Sequence, residues 1–348
     1  MDSKKFFTRT ITYTLLLLVL IAGFIILIDP FVRYHAPSFK LAAVETDERS
    51  SVIGLARNMD YDTALIGSSM SENFKDTWFE DNVLGNKCVK LPLQGAHMDD
   101  YEPVLKEALK HEGTKNIFFC LDTYLFIDDN NSYPCTIEDY YLATPGIKDV
   151  HYLFNKSVLF DYVPKFLVNN YREDYDDSNA YVWNDDYEYS KYAARAAYMS
   201  LRLLVKQEER AYDVYFDNAD KVTDRLLSII NDNKDVNFYL YAPPYSILFW
   251  DDCILKGNAT ATICTLDREY ERLLQCSNVR LFYFQNDYDT ITDLNYYRDY
   301  SHYNQQVNLK MYRYMKAGDY ELTQATCYDT LLSMYEYITT YNYEQCFH

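Results

Sequence analysis

The sequence has few basic residues for its length. Its 348 residues include 33 Lys and Arg against 52 Asp and Glu, which gives a formal net charge of −19 at pH 7. Proteins that bind nucleic acid neutralise the phosphate backbone with clustered Lys and Arg, so this balance argues against nucleic acid as a partner. The eight cysteines form no C-x-x-C pair, which argues against a zinc knuckle.

Internal repeats and low-complexity linkers are also absent from the sequence. A hydrophobic content of 49% with 24% charged residues is instead typical of a globular protein with a sizeable core. The most unusual feature of the composition is its 37 tyrosines, many of which alternate with Asp and Asn between Tyr171 and Tyr192. Such rings suit sugar faces or a protein interface, but they are equally compatible with a wet surface over an ordinary core.

One long apolar segment lies near the N-terminus. Residues 11–28 carry no charge, follow Lys4, Lys5 and Arg9, and end at Asp29. As a helix this segment would be about 27 Å long, close to the ~30 Å hydrocarbon core of a bilayer. It therefore predicts a single transmembrane helix over residues 11–28.

A cleaved signal peptide is the alternative interpretation of this segment. Its apolar region would be about 7 to 15 residues long and would end at a small-residue cleavage site, whereas Leu27 is followed by no A-x-A pattern. We therefore predict a retained anchor in the cytoplasmic membrane. The positive-inside rule places residues 1–10 in the cytoplasm, so the chain from about residue 30 onward is expected outside the membrane.

Beyond the anchor, short apolar runs alternate with helical patterns. The predicted strands are 63–66, 88–91, 116–121, 236–241 and 279–284. The predicted helices are 48–58, 72–82, 98–111, 217–232, 265–276 and 303–317. Buried strands that alternate with helices favour a parallel sheet covered on both faces, so we expect an α/β three-layer sandwich around a parallel five-stranded sheet.

The predicted organisation is a juxtamembrane connection (29–58), an α/β domain (59–318) and a C-terminal helical tail (319–348). Residues 128–218 interrupt the alternation with a helix-rich stretch that contains many Tyr and Asp. This stretch begins near the carboxyl end of the third strand, where open α/β sheets place their ligands. We interpret it as a helical insertion that shapes the substrate entrance, not as an independent domain.

Two short motifs carry the functional signal. Residues 67–70 (GSSM) follow the first strand, and residues 299–302 (DYSH) follow the last one. A serine on a strand-to-helix turn, with an Asp and a His three residues apart, can form a Ser-His-Asp triad. We predict Ser69 as the nucleophile, His302 as the base and Asp299 as the residue that orients His302. This chemistry implies no metal and no organic cofactor.

Each motif also has a purely structural interpretation. Serine is a preferred helix N-cap, so Ser68, Ser69 and Ser71 could serve only to begin a helix. A lone histidine in a Tyr-rich segment is usually structural, and Asp293 is a competing acid for His302. The α/β-hydrolase elbow, G-x-S-x-G, fits poorly because Ser71 replaces its final glycine.

The motif residues resemble the sequence blocks of the SGNH (GDSL-type) hydrolases. Ser69 lies where the first block has its nucleophile, and Asp299 with His302 matches the last block, D-x-x-H. Gly95, after the second strand, fits the second-block glycine whose N–H helps to form the oxyanion hole. The resemblance spans residues 60–318 approximately and implies a flavodoxin-like fold.

The third block departs from the family pattern. Where the family has an asparagine after the third strand, this chain has Leu121-Asp122-Thr123. An ionised carboxylate accepts hydrogen bonds and cannot donate one to an oxyanion, so Asp122 leaves the third donor unassigned. Gln94 or Thr123 could supply that hydrogen bond instead.

The anchored layout is similar to that of the DltD and AlgJ-like group of envelope proteins. The resemblance implies an acylated glycan or envelope polymer as substrate and a membrane-bound O-acyltransferase as partner. We therefore expect a membrane-anchored, extracytoplasmic serine esterase or O-acyltransferase. The alternative is a catalytically inactive protein of the same fold that binds glycans or acts as a scaffold for such an acyltransferase.

Overall fold

The computed structural model describes residues 3–37, 47–128, 133–172, 176, 178 and 180–348. The chain divides into two compact units. The first comprises Met1–Asp60 with Thr136–Ala180, and the second comprises Tyr61–Cys135 with Tyr181–His348. The stretch predicted as one insertion, residues 128–218, is therefore divided between the two units.

The α-helices of the described residues match most of the predicted ones. In chain order they are α1 (Ser3–Ile28), α2 (Glu48–Asn58), α3 (Ser69–Glu72), α4 (Met98–Lys110), α5 (Asp139–Leu142), α6 (Val150–Leu153), α7 (Val163–Tyr171), α8 (Lys191–Met199), α9 (Phe216–Asp232), α10 (Ile247–Leu255), α11 (Ala259–Leu273), α12 (Tyr288–Thr292), α13 (Gln305–Ala317) and α14 (Cys327–Thr340). The predictions for α2, α4, α9 and α13 are confirmed to within about two residues at each end. Helix α11 begins earlier than predicted.

The second unit is built around a six-stranded sheet in the order β2-β1-β3-β4-β5-β6. Its strands are β1 (Thr63–Gly67), β2 (Cys88–Pro92), β3 (Asn116–Cys120), β4 (Asn237–Ala242), β5 (Val279–Tyr283) and β6 (Glu321–Leu322). Strands β1 to β5 pair in parallel, which confirms the predicted parallel α/β sheet. Strand β6 pairs antiparallel with β5, so the predicted count of five strands is wrong.

The sixth strand has no signal in the sequence because it is only two residues long. Helix α13 ends at Ala317 and is capped by Gly318, whose φ of 81° lies in the left-handed region and lets the chain turn back. Leu322 then pairs with Leu281, and Glu321 forms an ion pair with Arg280 at 2.5 Å. A strand this short is specified by the turn and by cross-strand contacts, since it cannot show a hydrophobic alternation.

The predicted helix over residues 72–82 is also wrong. Helix α3 ends at Glu72, and only a 3-10 helix, Asp76–Phe79, follows it. The buried amine of Lys90 donates hydrogen bonds to the carbonyl oxygens of Glu72 (3.2 Å) and Phe74 (3.0 Å). These carbonyl groups are satisfied by Lys90 and not by the N–H groups of a longer helix.

The central strands position the functional residues. All five residues of β1 are buried, and β2 and β3 are buried beyond their first residue. Strands of this kind belong to parallel sheets that are covered on both faces. Their carboxyl ends lie at one edge of the sheet, so the residues that follow β1, β2 and β3 are brought together there.

The first unit contains the predicted anchor helix. Helix α1 is long and apolar enough to cross a membrane, and its buried residues are Ile25 and Ile28 near its C-terminal end. A signal sequence near the N-terminus can meet the same criteria of helix length and apolar composition. Among the residues that the structure describes, α1 is therefore the one helix of this kind, and it is compatible with either interpretation.

The chain directly after α1 is part of a buried core in the first unit. Phe31 packs against the rings of Tyr152 and Tyr162, with centroid distances of 5.6 and 4.8 Å. Arg33 forms a buried ion pair with Asp149 at 2.6 Å. The end of the apolar helix thus continues into packed structure.

Candidate active site

The candidate nucleophile lies on a strand-to-helix turn. Ser69 is the first residue of α3, and Gly67 is the last residue of β1. A Cβ atom at Gly67 would lie 2.6 Å from the Cβ of Cys120, so this close approach requires glycine. The Oγ of Ser68 accepts a hydrogen bond from the N–H of Met70 at 3.2 Å. The N-cap role therefore belongs to Ser68, and the Ser69 hydroxyl is left for other contacts.

The three side chains predicted to form a triad make one hydrogen-bonded chain. Ser69 Oγ lies 3.0 Å from His302 Nε2, although the two residues are 233 positions apart in sequence. His302 Nδ1 lies 2.8 Å from Asp299 Oδ2. A carboxylate at Nδ1 favours the tautomer with its proton on that nitrogen, so Nε2 can accept the proton of Ser69.

The carboxyl group of Asp299 is fixed by its own loop. Its Oδ1 accepts hydrogen bonds from the backbone N–H groups of His302 (2.7 Å) and Ser301 (2.9 Å). Burial raises the pKa of this carboxyl, but the hydrogen bond and charge of His302, with the backbone donors, outweigh burial and lower the pKa to about 2. Asp299 is therefore ionised throughout the pH range in which histidines ordinarily titrate.

The competing acid, Asp293, has a different role. Its Oδ1 accepts hydrogen bonds from the backbone N–H of Asn295 at 3.1 Å and from the Asn295 side chain at 2.9 Å. These contacts cap the 3-10 helix Leu294–Tyr296. Asp299, and not Asp293, is the acid hydrogen bonded to His302.

An aromatic and cationic cluster packs against the triad. The ring of Trp183 meets the ring of His302 edge to face, with 5.8 Å between centroids. The guanidinium carbon of Arg298 lies 4.3 Å from the Trp183 ring and 3.8 Å from the Tyr187 ring. Arg298 Nε is also 3.4 Å from Asp299 Oδ2. Sequence analysis does not find this cluster, because no spacing rule connects Trp183 with Arg298.

Ser69 and His302 line an open pocket of about 350 Å³. Its wall also contains Gly95, whose φ of 58° is left-handed and whose missing side chain would face open space. Within the described residues, the backbone N–H groups of Ser69 and Gly95 have no hydrogen-bond partner. Free N–H groups beside a nucleophile are what an oxyanion hole requires.

Only one of the three side-chain candidates for the oxyanion lies on the pocket wall, and it is Asp122. The amide of Gln94 donates a hydrogen bond to Glu72 Oε2 at 3.0 Å. Thr123 is fully buried at the start of a 3-10 helix, and its hydroxyl has no partner among the residues that the structure describes. The structure therefore places neither Gln94 nor Thr123 at the pocket.

A larger cavity of about 730 Å³, here called the side groove, adjoins the pocket. Tyr124 and Asp128 belong to the walls of both. Other polar side chains that line the side groove are Gln207, Arg210, Asp252, Lys256 and Asn258. Acidic and basic groups balance in this wall, and Lys256 pairs with Asp252 at 2.7 Å. The side groove therefore offers hydrogen-bonding groups and an exposed tyrosine ring without a strong charge of one sign.

No family model matches the chain, and no curated protein sequence matches it either. The function of this chain is consequently inferred from its own site geometry and sequence motifs.

Proposed function

We propose that this protein is a membrane-anchored, extracytoplasmic serine esterase or O-acyltransferase of the SGNH type. The observation that carries the proposal is the hydrogen-bonded chain from Ser69 through His302 to Asp299, of which Ser69 and His302 line an open pocket. The resemblance of the motif residues to the SGNH blocks supports the same chemistry. The proposed substrate class is an acylated glycan or another acylated polymer of the cell envelope.

The first half-reaction forms an acyl-enzyme. Ser69 Oγ attacks the carbonyl carbon of the ester while His302 Nε2 takes the hydroxyl proton. The tetrahedral intermediate then collapses, and His302 gives this proton to the oxygen of the departing alcohol. The acyl group is left on Ser69, and the ionised Asp299 holds the imidazolium in place throughout.

The second half-reaction releases the acyl group. His302 Nε2 removes a proton from a water molecule or from an acceptor hydroxyl, whose oxygen attacks the acyl carbon. Collapse of this second intermediate returns the proton to Ser69 Oγ. Water gives hydrolysis and a free acid, whereas a sugar hydroxyl gives transfer and a new ester, so the same residues serve both outcomes.

The backbone supplies two donors for the oxyanion in both steps. The N–H groups of Ser69 and Gly95 border the pocket from adjacent strands, since Gly95 follows β2 and Ser69 follows β1. One such donor contributes about 2.7 to 4 kcal/mol to catalysis in other enzymes. Two backbone donors therefore account for a substantial share of the transition-state stabilisation.

The side groove supports an extended, neutral and hydroxyl-rich substrate. It meets the pocket at Tyr124, whose ring is 42% exposed. Sugars bind to such aromatic faces and to mixed donors and acceptors of the kind that Gln207 and Asn258 provide. An acceptor chain in the side groove would place one of its hydroxyl groups near the acyl carbon on Ser69.

The packing at the end of α1 supports a retained anchor. Ile25 and Ile28 are buried, and Tyr152 donates a hydrogen bond to Asp29 Oδ1 at 2.9 Å. Signal cleavage needs an accessible small-residue site, whereas this junction is apolar and packed. In the proposed arrangement the basic N-terminus is cytoplasmic, and a membrane-bound O-acyltransferase could deliver acyl groups to the outward domain.

Protease accessibility tests this topology. Protease added to intact spheroplasts is expected to digest the domain beyond residue 30 and to leave a cytoplasmic marker intact. A tag at the N-terminus should remain protected until the membrane is permeabilised. Protection of the whole protein in intact spheroplasts would contradict the outward orientation, and a mature protein that begins after residue 28 would contradict the retained anchor.

Labelling with a fluorophosphonate tests the proposed chemistry. The probe reacts with activated serines, so we expect one labelled residue, Ser69, when the modified peptide is identified by mass spectrometry. Heat-unfolded protein is the control, since labelling must depend on the folded triad. A folded protein without labelling would favour the inactive glycan-binding or scaffold alternative. An ionised Asp122 on the pocket wall would be compatible with that alternative.

A further inference from the structure

Asp122 lines the pocket that contains the two candidate oxyanion donors, Ser69 and Gly95. Ser69, Gly95 and Asp122 follow β1, β2 and β3, which are neighbouring parallel strands, and all three residues line the same pocket. Asp122 is only 7% exposed. Its charge state therefore affects any negative charge that develops beside Ser69.

The surroundings of Asp122 are almost entirely neutral. The hydroxyl of Tyr245 donates a hydrogen bond to Oδ1, the thiol of Cys120 lies 3.6 Å from Oδ2, and the Ser68 hydroxyl also interacts with this carboxyl. The other titratable side chains that face Asp122 are Tyr241, Tyr270, His302 and Tyr303. Burial raises the pKa of the thiol and of each of these phenols, so they carry no charge at neutral pH. No arginine or lysine pairs with Asp122 in the part of the chain that the structure describes.

These surroundings disfavour the ionised form of Asp122. Burial raises the pKa of its carboxyl. The hydrogen bonds from Ser68, Tyr245 and Cys120 and the charge interaction with His302 oppose this effect without reversing it. An ionised Asp122 would also repel the oxyanion formed at Ser69, whereas a protonated carboxyl group is a hydrogen-bond donor. Neutral carboxylic acids in apolar sites serve as oxyanion donors in other enzymes.

We propose that Asp122 keeps its proton at neutral pH and donates a hydrogen bond to the oxyanion that forms on the acyl group at Ser69. The proposal rests on the esterase or acyltransferase function proposed above. Tyr245 donates to Oδ1 and so orients the carboxyl group, while Oδ2 has only the weak thiol donor of Cys120, so we assign the proton to Oδ2. The proton remains on Asp122 throughout, so no bond to this residue forms or breaks. Asp122 thereby supplies the third donor that Gln94 and Thr123 do not.

The test is the pH dependence of kcat/KM for p-nitrophenyl acetate, measured from about pH 5 to about pH 10 with the full-length protein in detergent. The wild-type rate is expected to fall at alkaline pH as Asp122 loses its proton. Asp122→Asn keeps a donor that cannot ionise, so its rate should stay within about threefold of wild type near neutral pH and show no alkaline fall. Asp122→Ala removes the donor and should lose about 10²-fold.

Two further variants separate this role from general effects on the pocket. Tyr245→Phe removes a hydrogen bond that favours the ionised carboxyl, so the alkaline fall should move to higher pH. Asp128→Asn makes the same substitution at another acid of the pocket wall and should leave the alkaline fall at its wild-type position. Circular dichroism melting of each variant confirms that the compared proteins are folded.

Three outcomes would overturn the proposal. One is an Asp122→Asn enzyme that is about tenfold or more faster than wild type at neutral pH, because a negative charge would then have been removed. Another is wild-type activity in Asp122→Ala. The third concerns the infrared difference spectrum between wild type and Asp122→Asn. The proposal is overturned if this difference contains no C=O band of a protonated carboxyl group in the wild type. Since this band does not depend on turnover, a protein that shows it but neither hydrolyses esters nor reacts with fluorophosphonate contradicts the esterase function and not the protonation of Asp122.

Discussion

Ser69→Ala is expected to abolish both ester hydrolysis and fluorophosphonate labelling. The substitution removes the oxygen that lies 3.0 Å from His302 Nε2, so the acyl intermediate has no atom on which to form. We expect kcat/KM for p-nitrophenyl acetate to fall by about 10⁴- to 10⁶-fold. Because Ser68 caps α3, the free energy of unfolding should fall by only about 0.5 to 1.5 kcal/mol, the contribution of one hydrogen bond.

Ser71→Ala is the matched control for this substitution. Ser71 lies on the same short helix, and its hydroxyl donates a hydrogen bond to the carbonyl oxygen of Ser68 at 2.7 Å. Its loss is expected to lower stability while labelling of Ser69 persists. Adding His302→Ala to Ser69→Ala should cost little further activity, since triad members act as a unit. Wild-type labelling in Ser69→Ala would show that the reactive serine lies elsewhere and would end the triad proposal.

The parallel sheet could be predicted because each of its parallel strands is a short and mainly apolar run. The residues of β1, TALIG, and of β3, NIFFC, leave few other interpretations when helical patterns separate them. Strand β6 could not be predicted, since its register depends on the turn at Gly318 and on the contact between Glu321 and Arg280. Local pattern thus predicted the long elements, while tertiary contacts determine the short ones.

In the candidate site, too, the residues in local sequence motifs could be predicted, whereas contacts between segments distant in sequence could not. Ser69, His302 and Asp299 belong to two compact motifs, so the positions after β1 and β5 were sufficient to predict that they meet. The contact of Trp183 with His302 could not be predicted in this way, because Trp183 belongs to no sequence motif and only the folded chain brings it to His302. Gln94 was an unsuitable oxyanion candidate for a related reason: its sequence position is close to Gly95, but its amide bonds to Glu72.

The protonation state of Asp122 could not be derived from the sequence at all. A lone Asp after a strand is expected to be ionised, and on that basis the carboxyl appears unable to serve an oxyanion. The neutral phenols that surround it, among them Tyr241 and Tyr245, come from a different strand and from the loop that follows it. Burial among such groups raises the pKa of the carboxyl and so favours its protonated form, and the size of this effect depends on neighbours that are distant in sequence.

Asp299→Asn is expected to reduce kcat by about 10⁴-fold while the fold remains intact. The carboxylate accepts the Nδ1 hydrogen of His302 at 2.8 Å and so directs the lone pair of Nε2 toward Ser69. An asparagine amide can donate to Nδ1 instead, which places the imidazole proton on Nε2 and prevents it from accepting the serine proton. Stopped-flow measurement of p-nitrophenol release would show the loss in the acylation step. Asp293→Asn is the control, because Asp293 was the alternative acid but caps a 3-10 helix, so this variant should keep near-wild-type kcat.

The same substitution should change how stability depends on pH. The pKa of Asp299 is about 2 in the folded protein against an ordinary value of 3.8, so its ionised form stabilises the fold above about pH 4, and this contribution is lost as the pH falls toward 2. Between pH 5 and pH 2 the free energy of unfolding of the wild type should therefore fall by about 2 kcal/mol more than that of Asp299→Asn. Urea unfolding at both pH values measures this difference. Equal acid sensitivity in the two proteins, or full activity in Asp299→Asn, would contradict the assignment of Asp299 as the ionised partner of His302.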